Sequence, residues 1–176
     1  RQMCIRDSRY RDPIVGENEL FIAVSQSGET ADTLAALREA KRRGARVMAI
    51  CNVVGSTITR EAGEENTLYT YAGPEIAVAS TKAYITQAEL MVMLAVALAD
   101  LRGQISPERA AQLMEGLADL PRKAEQALAV EEQLQRLTSM LSQKRHVFFV
   151  GRGMDYALSM EAALKLKEVS YIFSEA

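Results

Sequence analysis

The sequence predicts an α/β fold in which a parallel sheet is flanked by helices, and two observations support this. From Glu19 onward, short apolar runs alternate with helical patterns, which is typical of parallel strands joined by crossover helices. The first apolar run also leads through a turn rich in hydroxyl groups directly into a helix. The predicted elements are strands at 19–25, 46–51 and 67–71 and helices at about 31–43, 57–63 and 80–101.

Local signals bound these elements. Gly44 follows helix 31–43, where glycine is preferred just beyond a helix end. A turn at 55–56 separates the second strand from the short helix. Gly73 and Pro74 break the chain before the long helix, because proline cannot continue a regular element.

Beyond Gly103 the pattern changes to helices with no strand between them. Ser106 as N-cap and Pro107 at the first helical position start one helix, and Pro121 starts another. The second helix carries an apolar stripe of Ala127, Val130, Leu134, Leu137 and Leu141 at helical spacing. We interpret residues 104–145 as a helical connector.

A second strand–turn–helix unit follows the connector. The apolar run at 147–150 leads through Gly151, Arg152 and Gly153 into a helix predicted at about 154–169. We expect 146–176 to be the start of a second domain that is cut short at the end of the sequence. Residues 1–8 show neither strand nor helix periodicity and are predicted to be a non-native segment.

Composition excludes several classes of function. The chain has 21 basic and 23 acidic residues and no basic block, which argues against nucleic-acid binding. Cys4 and Cys51 form no disulfide framework, and with no signal peptide we expect a cytoplasmic protein. His146 has no Cys/His cluster around it, so no metal site is expected. The ten-residue apolar run at 90–99 fits a buried core helix better than a membrane span.

The turn after the first strand is the most informative segment, and it reads Ser25, Gln26, Ser27, Gly28, Glu29, Thr30. Its hydroxyls and free amides meet the positive end of a helix dipole, which favours a phosphate. No lysine lies in the turn, so a monophosphate on a small molecule, such as a sugar phosphate, fits better than a triphosphate. The alternative is that Ser27 or Thr30 merely caps the helix.

A second candidate segment precedes the long helix. Ser80 or Thr81 is expected to cap that helix, with Lys82 in its first turn. A cation there opposes the helix dipole, which indicates that Lys82 meets an anion or a carboxylate. A capped helix with a solvated lysine is the alternative.

Three charged residues share one face of the last predicted helix. Glu161, Lys165 and Glu168 stand at i, i+4 and i+7. Such a stripe is commonly a solvated salt-bridge ladder. In a cleft, a glutamate beside a lysine could instead move a proton next to a sugar carbonyl.

Four blocks of the sequence together carry a resemblance to a known family. They are SQSGETADT at 25–33, AICNV at 49–53, EIAVASTKA at 75–83 and ALKLKEVSY at 163–171. One block alone would indicate a sugar isomerase (SIS) domain. In this order and spacing, the four resemble the isomerase half of the isomerizing glutamine–fructose-6-phosphate aminotransferases, or glucosamine-6-phosphate synthases, over about residues 10–176.

The resemblance implies SIS domains, each a three-layer α/β/α sandwich with a parallel sheet. Residues 9–103 would be a first SIS domain lacking its first strand, and 146–176 the start of a second. The family converts fructose 6-phosphate, with ammonia from glutamine, to glucosamine 6-phosphate in amino-sugar biosynthesis, without a metal or organic cofactor. The resemblance also implies a cytoplasmic parent protein that forms a homodimer and has no nucleic-acid or membrane partner.

The resemblance also implies roles for individual residues. The phosphate would lie on Ser25, Gln26, Ser27 and Thr30, and the sugar would be lined by Val78 and Ser80. Glu168 would move the proton between C1 and C2, with Lys165 as its neighbour in the site.

The resemblance implies that four parts of the family pattern are missing from this chain. They are the glutaminase domain, the first strand of the first SIS domain, and the ring-opening histidine and imine-forming lysine, both of which are expected beyond Ala176. We therefore expect the chain alone to bind poorly and to be inactive.

Two alternatives remain open. One is a sugar-phosphate-sensing SIS module of a regulator, which would need a helix-turn-helix segment. The other is a stand-alone phosphosugar isomerase, against which the Lys165–Glu168 block argues.

Overall fold

The computed structural model describes residues 12–176, which divide after Gln104 into two compact units. Each unit holds a parallel sheet accompanied by helices, so the predicted α/β fold class is confirmed. The segment predicted to be non-native, 1–8, lies outside the described residues together with Cys4.

The first unit is built on a three-stranded parallel sheet in the order β1 (Leu20–Ser25), β2 (Arg46–Cys51) and β3 (Thr67–Tyr69). Ser25 at the end of β1 aligns with Cys51 at the end of β2, and Cys51 aligns with Tyr69 at the end of β3. The carboxyl ends of the strands therefore share one edge. The elements, in chain order, are β1 (Leu20–Ser25), α1 (Ala31–Arg42), β2 (Arg46–Cys51), α2 (Thr57–Ala62), a 3-10 turn (Glu64–Asn66), β3 (Thr67–Tyr69) and α3 (Lys82–Leu101).

The core of this unit lies between the sheet and the helices α1 and α2. The strands contribute small side chains, which let the helices approach closely, and the helices contribute larger ones. Leu37 and Ile58 are fully buried there, and burying a side chain of this size stabilises the fold by about 1.5–3 kcal/mol. The cluster consists of Ala23, Leu34, Leu37, Ala49, Ile58 and Ala62.

The apolar run at 90–99 lies in α3, but the prediction that this helix is a buried core helix is wrong for this chain. Ala83 and Val96 are its buried residues, while Met91, Val92 and other apolar side chains are exposed. Apolar residues surround the helix on all sides, so the pattern does not show which face finds a packing partner. By length and composition, α3 is the one described helix that could cross a membrane, with a hydropathy of 1.5. A single helix of this kind is weak evidence, because core helices meet the same criterion.

The second unit begins with helices, as predicted. The Ser106 hydroxyl accepts a hydrogen bond from the Arg109 amide at 3.2 Å, and Pro107 opens the helix, so the predicted start is confirmed. The single helix predicted from Pro121 is two helices that break near Val130. The elements are α4 (Pro107–Ala118), α5 (Leu120–Leu128), α6 (Glu131–Leu141), β4 (His146–Phe148), α7 (Met154–Ser170) and β5 (Phe173–Glu175).

Strands β4 and β5 pair in parallel and form a sheet of their own. The sequence did not predict β5. Its central residue, Ser174, is fully buried and donates a hydrogen bond to the Ala163 carbonyl of α7 at 2.7 Å. The boundaries proposed for the connector and the second domain, 104–145 and 146–176, stay predictions.

Candidate phosphate-binding site

The loops that follow β1, β2 and β3 lie at the carboxyl edge of the first sheet. In open parallel α/β sheets, ligands bind at this edge. The predicted substrate residues fall in the loops after β1 and β3, at Ser25, Gln26, Ser27, Thr30, Val78 and Ser80.

The loop after β1 is folded by its own hydroxyl groups. The Ser25 hydroxyl accepts a hydrogen bond from the Gly28 amide at 3.0 Å, and the Ser27 hydroxyl accepts one from the Glu29 amide at 3.2 Å. Thr30 is the residue before α1, and its side chain makes no capping hydrogen bond. In the described structure, neither Ser27 nor Thr30 caps α1 through its hydroxyl, which weighs against the helix-cap alternative.

The loop ends at the N-terminus of α1, a helix of 12 residues. The first amides of a helix have no partner within it, and the helix dipole concentrates positive charge there. Thr30 and Glu29 are exposed, Ser27 is partly buried and Ser25 is buried. Asp32 places a negative charge in the same first turn, so the site combines the dipole with two acidic side chains, Glu29 and Asp32.

Gly28 allows the loop to approach the loop after β2. It has a φ of +68°, and a Cβ atom there would overlap the Ser56 hydroxyl and lie 2.9 Å from the Cys51 sulfur. Its carbonyl accepts a hydrogen bond from the Ile58 amide at 3.0 Å. The space and the backbone conformation therefore both require glycine.

Glu29, which the sequence did not single out, joins the loops after β1 and β2 by hydrogen bonds. Its two carboxylate oxygens accept hydrogen bonds from the amide and the hydroxyl of Thr57, each at 2.7 Å. The hydrogen bond from the Thr57 hydroxyl, and to a lesser extent the bond from its amide, lower the pKa of Glu29 below its ordinary value.

Asn52 joins the loops after β1 and β3. Its side-chain oxygen accepts hydrogen bonds from the Thr70 hydroxyl at 3.0 Å and the Ala72 amide at 2.8 Å, and its side-chain nitrogen donates to the Gly73 carbonyl at 2.7 Å. Its backbone amide donates to the Gln26 carbonyl at 3.3 Å. The segment leading to Val78 and Ser80 is thereby connected to the loop at 25–30.

The helix start after β3 differs from the prediction. No capping hydrogen bond comes from the Thr81 side chain, and the Ser80 hydroxyl instead contacts the Glu75 carboxylate at 3.4 Å. The same carboxylate oxygen accepts hydrogen bonds from the amides of Thr81 at 3.3 Å and Ala83 at 3.2 Å. Glu75 is therefore the cap of α3, a role that sequence reasoning missed.

The hydrogen bond from the Ala83 amide, with a smaller contribution from the charge of Lys82, lowers the pKa of Glu75. The interpretation that Lys82 meets an anion or a carboxylate stays a prediction. Val78 is fully exposed and Ser80 partly buried.

The predicted catalytic pair lies in the second unit, on α7. The Lys165 ammonium is 2.6 Å from a Glu168 oxygen and 3.5 Å from a Glu161 oxygen, so the three charges form the expected ladder. Their side chains are 26%, 32% and 24% exposed, respectively. The hydrogen bond to Glu168 raises the pKa of Lys165. The catalytic roles of both residues stay predictions.

Among residues 12–176, no group of three or more His, Cys, Asp or Glu side chains could hold a metal ion. Cys51 is a free, buried thiol next to Gly28 of the loop at 25–30. Its sulfur lies 3.5 Å from the Ser56 hydroxyl, in keeping with the sequence interpretation of a small buried residue.

Comparison with known proteins places this chain in a family. Residues 6–97 match the SIS domain, and the chain belongs to the SIS-domain family. It is 57% identical over 168 residues to the glutamine–fructose-6-phosphate aminotransferase [isomerizing] of Symbiobacterium thermophilum and 55% identical to that of Clostridium tetani. Each alignment covers 96% of this chain and 27% of the relative.

A solved structure shows the same relationship. The C-terminal domain of glucosamine-fructose-6-phosphate aminotransferase from Francisella tularensis superposes with a TM-score of 0.93 at 39% identity. The match covers 98% of this chain and 48% of that one. These similarities confirm the resemblance inferred from the four sequence blocks, and this chain spans about a quarter of the length of its curated relatives.

Proposed function

We propose that this chain is part of a protein that transfers an amino group from glutamine to fructose 6-phosphate and isomerises the product to glucosamine 6-phosphate. The observation that carries the proposal is the hydroxyl-lined loop at 25–30, which ends at the N-terminus of α1 on the carboxyl edge of the sheet. The names of the relatives, at 57% and 55% identity, supply the substrates.

In this proposal the loop holds the phosphate. The amides of the first turn of α1 and the hydroxyls of Ser27 and Thr30 provide hydrogen-bond donors in one place, and the helix dipole adds to the attraction. Ser25 is buried and already bonded to the Gly28 amide, so it shapes the loop. Its hydroxyl hydrogen stays available as a donor.

Val78 and Ser80 would line the sugar from the loop after β3. The hydrogen bonds of Asn52 connect that loop to the phosphate loop, and the carboxylate of Glu75 bonds the Ser80 hydroxyl. Both sets of contacts support the proposal that this segment lies at a fixed distance from the bound phosphate.

The isomerisation would use Glu168. Converting a ketose to an aldose moves a proton between C1 and C2, which requires a group that accepts and then returns it. The Lys165 ammonium donates a hydrogen bond to the Glu168 carboxylate at 2.6 Å, and this contact, which holds the carboxylate in one position, supports the proposal. In the same proposal the protein of full length is a cytoplasmic homodimer.

The test is to assay a protein of the relatives' length that contains this chain. We expect glutamine and fructose 6-phosphate to yield glucosamine 6-phosphate. Ser27→Ala should raise the KM for fructose 6-phosphate about tenfold with little change in kcat, since it removes a hydrogen bond to a charged group. Ser139→Ala, which changes an exposed helix hydroxyl, is the control and should behave as the parent. Absence of product, or an unchanged KM in Ser27→Ala, would contradict the proposal.

A further inference from the structure

Glu29 is an exposed carboxylate whose two oxygens both bind a single residue in another loop. The Thr57 amide donates to one oxygen and the Thr57 hydroxyl donates to the other, each at 2.7 Å. Behind this contact, the Arg60 guanidinium donates to the Thr57 hydroxyl oxygen at 3.0 Å and to the Gly55 carbonyl. The contact is therefore supported from the side of α2 as well.

The bonds of Glu29 and Gly28 form two consecutive links between the loops. The Ile58 amide donates to the Gly28 carbonyl at 3.0 Å, and Thr57 binds Glu29 in the next position. Two links at neighbouring residues hold both the direction and the twist of the backbone between them. Ser27 and Thr30, the proposed phosphate ligands, flank this held segment on either side.

The negative charge of Glu29 argues against a direct role in binding the phosphate. A carboxylate close to a phosphate repels it, so the charge itself does not favour binding. What Glu29 can contribute is geometry, because its carboxylate accepts two hydrogen bonds from one threonine at once.

We propose that Glu29 is a positioning residue of the phosphate site. By holding Thr57 with both carboxylate oxygens, it fixes the loop so that Ser27 and Thr30 meet the phosphate of a sugar phosphate. The proposal rests on the proposed function and adds a residue to it.

The test compares three variants of this chain by titration with fructose 6-phosphate, followed by backbone amide NMR. Glu29→Ala removes the contact and should weaken binding about tenfold, the effect of losing a hydrogen bond to a charged group. Glu29→Gln can accept from the Thr57 amide and donate to its hydroxyl, so it should bind within about twofold of the parent or more tightly. Thr57→Val combined with Glu29→Ala should weaken binding no further than Glu29→Ala alone, because both act through one contact.

The matched control is Glu61→Gln. It weakens the exposed pair of Arg38 with Glu61, which joins α1 to α2 in the same unit without touching the loop. Its affinity should equal that of the parent. Hydrogen exchange of the Ile50 amide, in the central strand, verifies that every variant remains folded.

Exchange of the Thr57 amide supplies a readout that needs no ligand. It should be about tenfold faster in Glu29→Ala than in the parent and should remain slow in Glu29→Gln. Parental affinity in Glu29→Ala, an equal loss in Glu29→Gln, or an unprotected Thr57 amide in the parent would each overturn the inference. If the parent chain shows no binding, the same variants are titrated in a protein of the relatives' length. Absence of binding there overturns the proposed function and the inference with it, whereas binding that Glu29→Ala leaves unchanged overturns the inference alone.

Discussion

Replacing Gly28 with alanine tests whether the loop at 25–30, the proposed phosphate site, depends on close contact with the loop after β2. Gly28 has a φ of +68°, and an alanine Cβ there would overlap the Ser56 hydroxyl and lie 2.9 Å from the Cys51 sulfur. The left-handed conformation costs about 1–2 kcal/mol for a non-glycine residue. Overpacking adds about 1–3 kcal/mol. We therefore expect Gly28→Ala to destabilise the first unit by about 2–5 kcal/mol.

Gly55 offers a control with the same backbone conformation. Its φ is +71°, but a Cβ there meets nothing within 4 Å. Gly55→Ala should therefore cost only the conformational part, about 1–2 kcal/mol. The difference between the two variants isolates the steric contact.

Native-state hydrogen exchange of the Ile50 amide measures both variants in the first unit. Ile50 is fully buried in the central strand, so its exchange reports the opening of that unit. The amide should exchange about tenfold or more faster in Gly28→Ala than in Gly55→Ala, since 1.4 kcal/mol corresponds to a factor of ten. Adding Ser56→Gly to Gly28→Ala should bring the exchange rate of the Ile50 amide most of the way back to the rate in Gly55→Ala. Equal exchange in the two single variants would refute the argument that the loops are in contact.

Three further predictions concern hydrogen bonds, acid titration and catalysis. Asn52→Ala should destabilise the first unit by about 1–3 kcal/mol in urea unfolding, because it removes the side-chain hydrogen bonds to Thr70, Ala72 and Gly73; unfolding at the urea concentration of the parent would contradict this. The hydrogen bonds from two neighbouring arginines lower the pKa of Glu39 from 4.5 to about 2, so the stability that it adds is fully present above pH 4.5 and disappears as the pH falls towards 2; a carboxyl NMR titration should give that midpoint, and a midpoint near the ordinary value would refute it. In a protein of the relatives' length, Glu168→Gln should lower kcat by about 10²–10⁴-fold with little change in KM; Glu132→Gln is the control, and near-normal kcat in Glu168→Gln would leave Glu168 as part of a solvated ladder.

The strands and the first helix follow closely from the sequence. Helix α1 ends before Gly44, whose φ of +86° is the left-handed conformation that the pattern predicted for a glycine in that place. The strand predicted at 67–71 stops at Tyr69, and the backbone turns through Tyr71 with a φ of 49°. Apolar runs and glycine positions are local signals, so they locate elements well.

The parts that the sequence missed depend on contacts between distant residues. Glu75 caps α3 from six to eight positions away, which no local capping rule anticipates. Glu29 binds Thr57 across 28 positions. Strand β5 has three residues, too few to show a periodic pattern.

The second kind of error concerned which residues are buried. The sequence shows that α3 is apolar, but exposure depends on what packs against it, and here most of its surface remains exposed. The break between α5 and α6 interrupts a continuous apolar stripe, and nothing in the local residues explains it.

The central claim is that the loop at 25–30 binds the phosphate of a sugar phosphate. Titrating this chain into the millimolar range with fructose 6-phosphate, and separately with fructose, tests it through the backbone amide signals of Ser27 to Thr33. We predict shifts with fructose 6-phosphate, none with fructose, and a weaker response in Ser27→Ala but not in Ser139→Ala. Loop amides that respond equally to both sugars, or to neither, would contradict the claim.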